Sequence, residues 1–168
     1  MQLGEDTITM SMTLNPVNEA AFQKAVQSLE TLNRAAVFHP TGTGKSCIAW
    51  KVVEAHPQTT FFWLVAGAQR LALRQAELTR YNGGTLPGNV RFCDCEKLAA
   101  ATPEQWVRLG EQKPGCIVLD CYHELSAVCW AQSVQKLLRM CPQAKVLGLG
   151  VPNGAPVCAA AQELFADC

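Results

Sequence analysis

No apolar run in this sequence reaches the roughly 18 residues that a membrane-spanning helix requires, so no such span is expected. The opening residues, Met1-Gln2-Leu3-Gly4-Glu5-Asp6, lack a basic stretch followed by an apolar core, and no secretion signal is expected. Charge is scarce as well: only 17% of residues are Asp, Glu, Lys or Arg, and 14 basic side chains balance 14 acidic ones. A net charge of zero excludes a global basic field, so any nucleic-acid contact has to be local. Histidine is limited to three residues, which leaves little for a metal centre. A cytoplasmic location is the expectation.

Cysteine is abundant by contrast. There are nine, at positions 47, 93, 95, 116, 121, 129, 141, 158 and 168. Most fall in apolar stretches, where a thiol behaves as a small hydrophobe. A disulfide framework is not expected at this length without a secretion signal. Cys93 and Cys95 miss the two-to-four-residue spacing of zinc ligands and have no histidine partners, so no zinc site is expected. With 49% hydrophobic residues, the 168-residue chain can build one substantial core.

One stretch carries recognisable chemistry. His39-Pro40-Thr41-Gly42-Thr43-Gly44-Lys45-Ser46 lies between Ala35–Phe38, which reads as a buried strand, and Cys47–Val53, which reads as a helix. Strand, glycine turn and helix start, closed by Gly-Lys-Ser, are the parts of a phosphate-binding loop. Glycines let the backbone curl so that successive N–H groups point inward, and the helix N-terminus adds partial positive charge. Thr41, Gly42, Thr43, Gly44, Lys45 and Ser46 are the candidate nucleotide-binding residues. Lys45 would reach the β- and γ-phosphates, and the Ser46 hydroxyl would ligate Mg²⁺. The strict G-x-x-x-x-G-K-[ST] form is missed, because His39 stands at the place of its first glycine.

The rest of the chain alternates. Residues 1–15 read as a lead-in. Asn18 is the expected N-cap of a helix from Glu19 to about Leu32, with Phe22, Val26 and Leu29 as its buried stripe. The helix from Lys45 ends near His56-Pro57. Thr59–Ala66 is a continuous apolar run suited to a strand covered on both faces. Ala68–Tyr81 reads as a helix with Leu71 and Leu78 inward, Val90–Cys93 as a short strand, and Lys97–Ala100 as a helical turn. Thr102-Pro103-Glu104-Gln105 carries a capping box with proline at the first helical position, and opens a helix to about Gly110. Cys116–Asp120 is a fourth strand that ends in an acid. A helix from residue 126 or 127 to Met140, a fifth strand at Lys145–Leu149 and a last short helix at Val157–Phe165 complete the pattern. Such alternation predicts an α/β fold, a mostly parallel sheet of at least five strands with helices on both faces. Ligands of such sheets sit at the carboxyl ends of the strands, where the glycine loop and Asp120 both fall.

These motifs, in this order, resemble the N-terminal RecA-like lobe of superfamily-two, DEAD/DEAH-box-type helicases, near the restriction-enzyme helicase subunits. His39 to Ser46 is similar to the family's first motif in its Thr-Gly-x-Gly-Lys-Ser form. Asp120-Cys121-Tyr122-His123 lies where the family has Asp-Glu-x-His, and Leu147-Gly148-Leu149-Gly150-Val151-Pro152-Asn153 where it has Leu-Gly-Leu-Ser-Ala-Thr-Pro. Phe92–Leu98 resembles a segment that usually ends Thr-Tyr-x-x-Leu. Gln69–Gln75 falls where a backbone-contacting nucleic-acid motif sits. The resemblance spans roughly residues 17–153. It implies a P-loop three-layer sandwich over residues 16–168, binding ATP and Mg²⁺, with Ser46 and Asp120 as metal ligands.

The departures from the family are specific. Cys121 stands where a glutamate polarises the attacking water, and a thiol is a poor substitute for that carboxylate. Gly150 and Pro152 replace the hydroxyl residues that couple nucleotide to nucleic acid. The second lobe, with its arginine fingers, has no counterpart in this sequence. The resemblance therefore implies a helicase-like ATP-binding lobe with weak or no hydrolysis alone, its partners a nucleotide, DNA or RNA, and a second lobe or another protein. The alternative is a non-catalytic interaction module derived from such a lobe. His123 is either a motif remnant near the phosphates or a structural histidine. Arg70 and Arg74 are candidates for a nucleic-acid backbone, against a plain solvated helix face. Asn18 or Gln23 would be placed to read the adenine.

Overall fold

The computed structural model describes residues 12–120 and 128–151. In chain order these form α1 (Pro16–Thr31), β1 (Arg34–Phe38), α2 (Lys45–Ala55), β2 (Phe61–Val65), α3 (Ala68–Tyr81) and β3 (Val90–Asp94). Then follow α4 (Cys95–Ala99), α5 (Pro103–Glu111), β4 (Cys116–Asp120), α6 (Val128–Met140) and β5 (Lys145–Gly150). The expected helix at 157–165, along with Cys121, His123 and Pro152, lies outside the described residues.

The strands form one sheet in the order β1-β5-β4-β2-β3, and every pairing is parallel. Strand side chains alternate between faces, and this alternation divides the core in two. Ala35, Val37, Phe61, Trp63, Val65, Val118, Leu147 and Leu149 pack on one face with α1, α2 and Leu78 of α3. Phe62, Leu64, Ile117, Leu119 and Val146 pack on the other with Trp106 of α5 and Val134 and Leu137 of α6. Helices cover both faces, which is why β2 and β4 are apolar and buried along their whole length.

Local chemistry sets the helix boundaries. The cap of α1 is Asn15, not the expected Asn18: the Asn15 Oδ1 accepts the Asn18 N–H at 2.9 Å. Pro16 then occupies the first helical position, where its missing N–H leaves no bond unmade. Helix α4 starts two residues before the expected turn, because Asp94 caps it by accepting the Glu96 N–H at 3.0 Å. The capping box of α5 forms as expected, Thr102 to the Gln105 N–H at 3.3 Å and Gln105 back to the Thr102 N–H at 2.8 Å.

The described cysteines at 47, 93, 95, 116 and 141 are all free thiols. Burial pushes the Cys93 thiol up from an ordinary 9.0 to about 11, and Cys116 to about 12. Cys95 is raised further by the same cause. Above pH 9 the unfolded chain releases thiol protons that the folded chain retains, so stability is lost as pH rises. Unfolding free energy is expected to fall between pH 9 and 11, and to fall less in Cys93→Ala at the same denaturant slope.

Candidate functional site

The site is built at the carboxyl ends of β1 and β4, with β5 standing between them. The chain leaves β1 after Phe38, and the His39 N–H still donates to the Gly150 carbonyl of β5 at 3.2 Å. The loop then turns on Gly42 and Gly44, whose φ values are +80° and +94°. Inside the loop the Thr43 hydroxyl donates to the Pro40 carbonyl at 2.6 Å. From α1, buried Asn18 donates its Nδ2 to the Thr43 carbonyl at 2.9 Å and so ties the loop to the core. Gln23 bonds Glu19 Oε1 within the same helix at 2.8 Å.

Gly44 is required twice over. Its left-handed φ disfavours any side chain, and a Cβ there would lie 2.8 Å from the Asn18 Nδ2. Gly44→Ala is expected to cost about 1–3 kcal/mol of stability by denaturant unfolding. A cost under ~0.5 kcal/mol would mean that the loop does not hold this shape.

Lys45 opens α2, and its Nζ donates back to the carbonyls of His39 at 2.8 Å and Pro40 at 3.1 Å. The ammonium is thus held at the loop itself. Ser46 is buried and hydrogen-bonds the Tyr81 hydroxyl at the end of α3, which also accepts from the Cys47 Sγ at 3.2 Å. Burial, with a further push from Cys47, holds the Tyr81 phenol above its usual range.

Asp120 lies at the tip of β4, 1% exposed. Val118 pairs in register with Trp63, and Asp120, two residues on, faces the same side. The Trp63 Nε1 donates to Asp120 Oδ2 at 3.0 Å. Arg74 of α3 grips the same carboxylate with two bonds, Nε to Oδ2 at 2.5 Å and Nη2 to Oδ1 at 3.2 Å. Its Nη1 pairs with Glu77. Burial by itself would lower the Arg74 pKa; Asp120 and Glu77 together outweigh it, and the pKa is raised.

Thr41, Gly42, Gly44, Lys45, Ser46, Arg70, Arg74, Glu77, Tyr81 and Asp120 line one open cavity of about 580 Å³. Thr43, Asn18 and Gln23 do not line it, the Thr43 carbonyl being taken by Asn18 and its hydroxyl by Pro40.

No protein-family model and no curated protein matches this sequence. Solved structures do. The Escherichia coli DEAH/RHA helicase HrpB matches over 89% of this chain with a TM-score of 0.64 at 18% identity. A hypothetical ATP-dependent RNA helicase from Sulfolobus tokodaii matches over 92% with a TM-score of 0.59 at 12% identity. The fold is RecA-like. At these identities the likeness establishes the fold alone, and the chain spans only 21% of the first protein and 56% of the second.

Within this RecA-like lobe the glycine loop suits a phosphate chain, since Lys45 and the α2 N-terminus both face the cavity. The metal that such lobes imply does not fit the arrangement described. Asp120 already accepts three N–H donors, two of them from a guanidinium, and a magnesium ion there would sit against a fixed positive charge.

Sequence reasoning missed four members of the site: Trp63 and Tyr81, read as core or helix end, Glu77, and the inward role of Arg74. A signal for Arg74 was present. It lies three residues after Leu71 and four before Leu78, inside the apolar stripe of α3. The Arg74 side chain is 22% exposed and turned onto Asp120. Arg70 is exposed.

Proposed function

We propose that this lobe is a helicase-like ATP-binding domain of the P-loop class, which takes the phosphate chain of ATP and hydrolyses it slowly or not at all alone. The observation that supports this most is the glycine loop at the start of α2, with Lys45 held on its carbonyls and lining one cavity with Asp120. Cys121, in place of the water-polarising glutamate, argues for slow turnover. Mg²⁺ at Ser46 and Asp120, the family's arrangement, requires Arg74 to release the carboxylate. Arg70 and Arg74 are the candidates for a DNA or RNA backbone, Arg70 being the exposed one. The nearness to restriction-enzyme helicase subunits rests on the motifs alone; the two structural neighbours are named as a DEAH/RHA helicase and an RNA helicase.

Calorimetric titration with ATP, wild type against Lys45→Ala, tests this reading. Equal heats for both proteins would remove it. The second reading, a regulatory module that keeps the fold without using nucleotide, is favoured by the closed Arg74–Asp120 pair. It predicts a protein partner whose binding ignores Lys45→Ala.

A further inference from the structure

We propose that this site takes a nucleoside polyphosphate free of divalent metal, because the Arg74 guanidinium occupies the Asp120 carboxylate that a magnesium ion would otherwise use. The inference rests on the phosphate-loop reading of residues 41–46 and adds to it the chemical form of the ligand.

The argument begins with Asp120. Its carboxylate is 1% exposed, and Oδ2 accepts from both the Trp63 indole at 3.0 Å and the Arg74 Nε at 2.5 Å. Oδ1 accepts from the Arg74 Nη2 at 3.2 Å. An sp² oxygen has two lone pairs, so Oδ2 is fully used. A metal-bound water at Oδ2 would have to displace one arm of a charge-assisted bidentate pair, among the stronger hydrogen-bonded arrangements available to a protein.

Arg74 is built in rather than draped over the surface. It lies between Leu71 and Leu78 in the sequence of α3, and the carboxylates of Asp120 and Glu77 both hold its guanidinium. Three of its five N–H groups are used by Asp120 and Glu77, which leaves two on the terminal nitrogens. The planar fork that remains matches a phosphate oxygen pair, the geometry for which arginine is suited and lysine is not.

Asp120 and Glu77 carry two negative charges and Arg74 one positive charge, so Lys45 and the loop N–H groups are the attraction that a polyphosphate meets first.

The experiment is ATP binding by calorimetry to wild type, Arg74→Gln and Asp120→Asn, in excess EDTA and in excess magnesium chloride. Wild type should bind in EDTA and lose about tenfold or more of its affinity in excess magnesium chloride, where almost all ATP is complexed to the metal. Arg74→Gln should lose about tenfold or more in EDTA, the worth of one charge-assisted contact, and regain it with magnesium. Asp120→Asn should bind metal-free ATP more tightly, because Arg74 is released toward the phosphates. Wild-type binding that appears only with magnesium, or is equal in both buffers, overturns the inference and leaves the ATP-binding reading standing. A loss in Asp120→Asn confined to magnesium buffer, as a metal ligand would give, overturns it too. No wild-type binding in either buffer overturns both. Should Arg74→Gln fail to fold by circular dichroism, the wild-type and Asp120→Asn titrations still decide.

Discussion

Asp120→Ala is expected to lower the unfolding free energy by about 3–5 kcal/mol, the usual cost of stripping one partner from a buried ion pair. The magnitude follows from what is left behind. Arg74, with 22% of its side chain exposed, would keep its charge with only the half-exposed Glu77 to meet it. The Trp63 Nε1, in a fully buried ring, would lose its acceptor, which adds about 1–3 kcal/mol of unmade hydrogen bond. Denaturant unfolding should show an earlier midpoint at unchanged slope. Arg74→Met should also destabilise, because it leaves the carboxylate in place without its cation. The double variant should lose well under the sum of the two single losses, since each single strands the other's charge. Strictly additive losses, or a cost below about 1 kcal/mol for Asp120→Ala, would mean that the pair is not closed in solution.

Lys45→Ala should weaken ATP binding by about thirtyfold or more, corresponding to about 2 kcal/mol of charge-assisted hydrogen bonding. In the ligand-free lobe the ammonium is parked on two carbonyls of its own loop, at 2.8 and 3.1 Å. A phosphate oxygen is a stronger acceptor than either, so the exchange favours the ligand. Stability should change little, because the bonds lost lie at a partly exposed loop. That combination separates a binding role from a structural one. A fall in stability matching the fall in affinity would mean that the lysine only holds the loop together.

Much of this could be read from the amino-acid order, for reasons visible in particular residues. The strands at Phe61–Val65 and Cys116–Asp120 are apolar at nearly every position, a pattern suited to strands covered on both faces. Thr102 and Gln105 announced α5 because a capping box is a local interaction, complete within four residues. The cap of α1 was misplaced by three residues, since Asn15 and Asn18 offer the same chemistry and only the proline between them favours the first. Asn18, released from capping, instead holds the glycine loop from 25 residues away, a contact with no local signature.

Local patterns set the alternation of strands and helices, the glycine loop at Thr41–Ser46 and the acid at the end of β4, because propensity, capping and turn chemistry act over a few residues. The tertiary fold alone decided that β5 lies between β1 and β4, since parallel crossovers permit more than one strand order. It also decided that Arg74 closes on Asp120 across 46 residues of chain. That pairing depends on which face of β4 meets which stripe of α3, and such a choice is made only when both are packed.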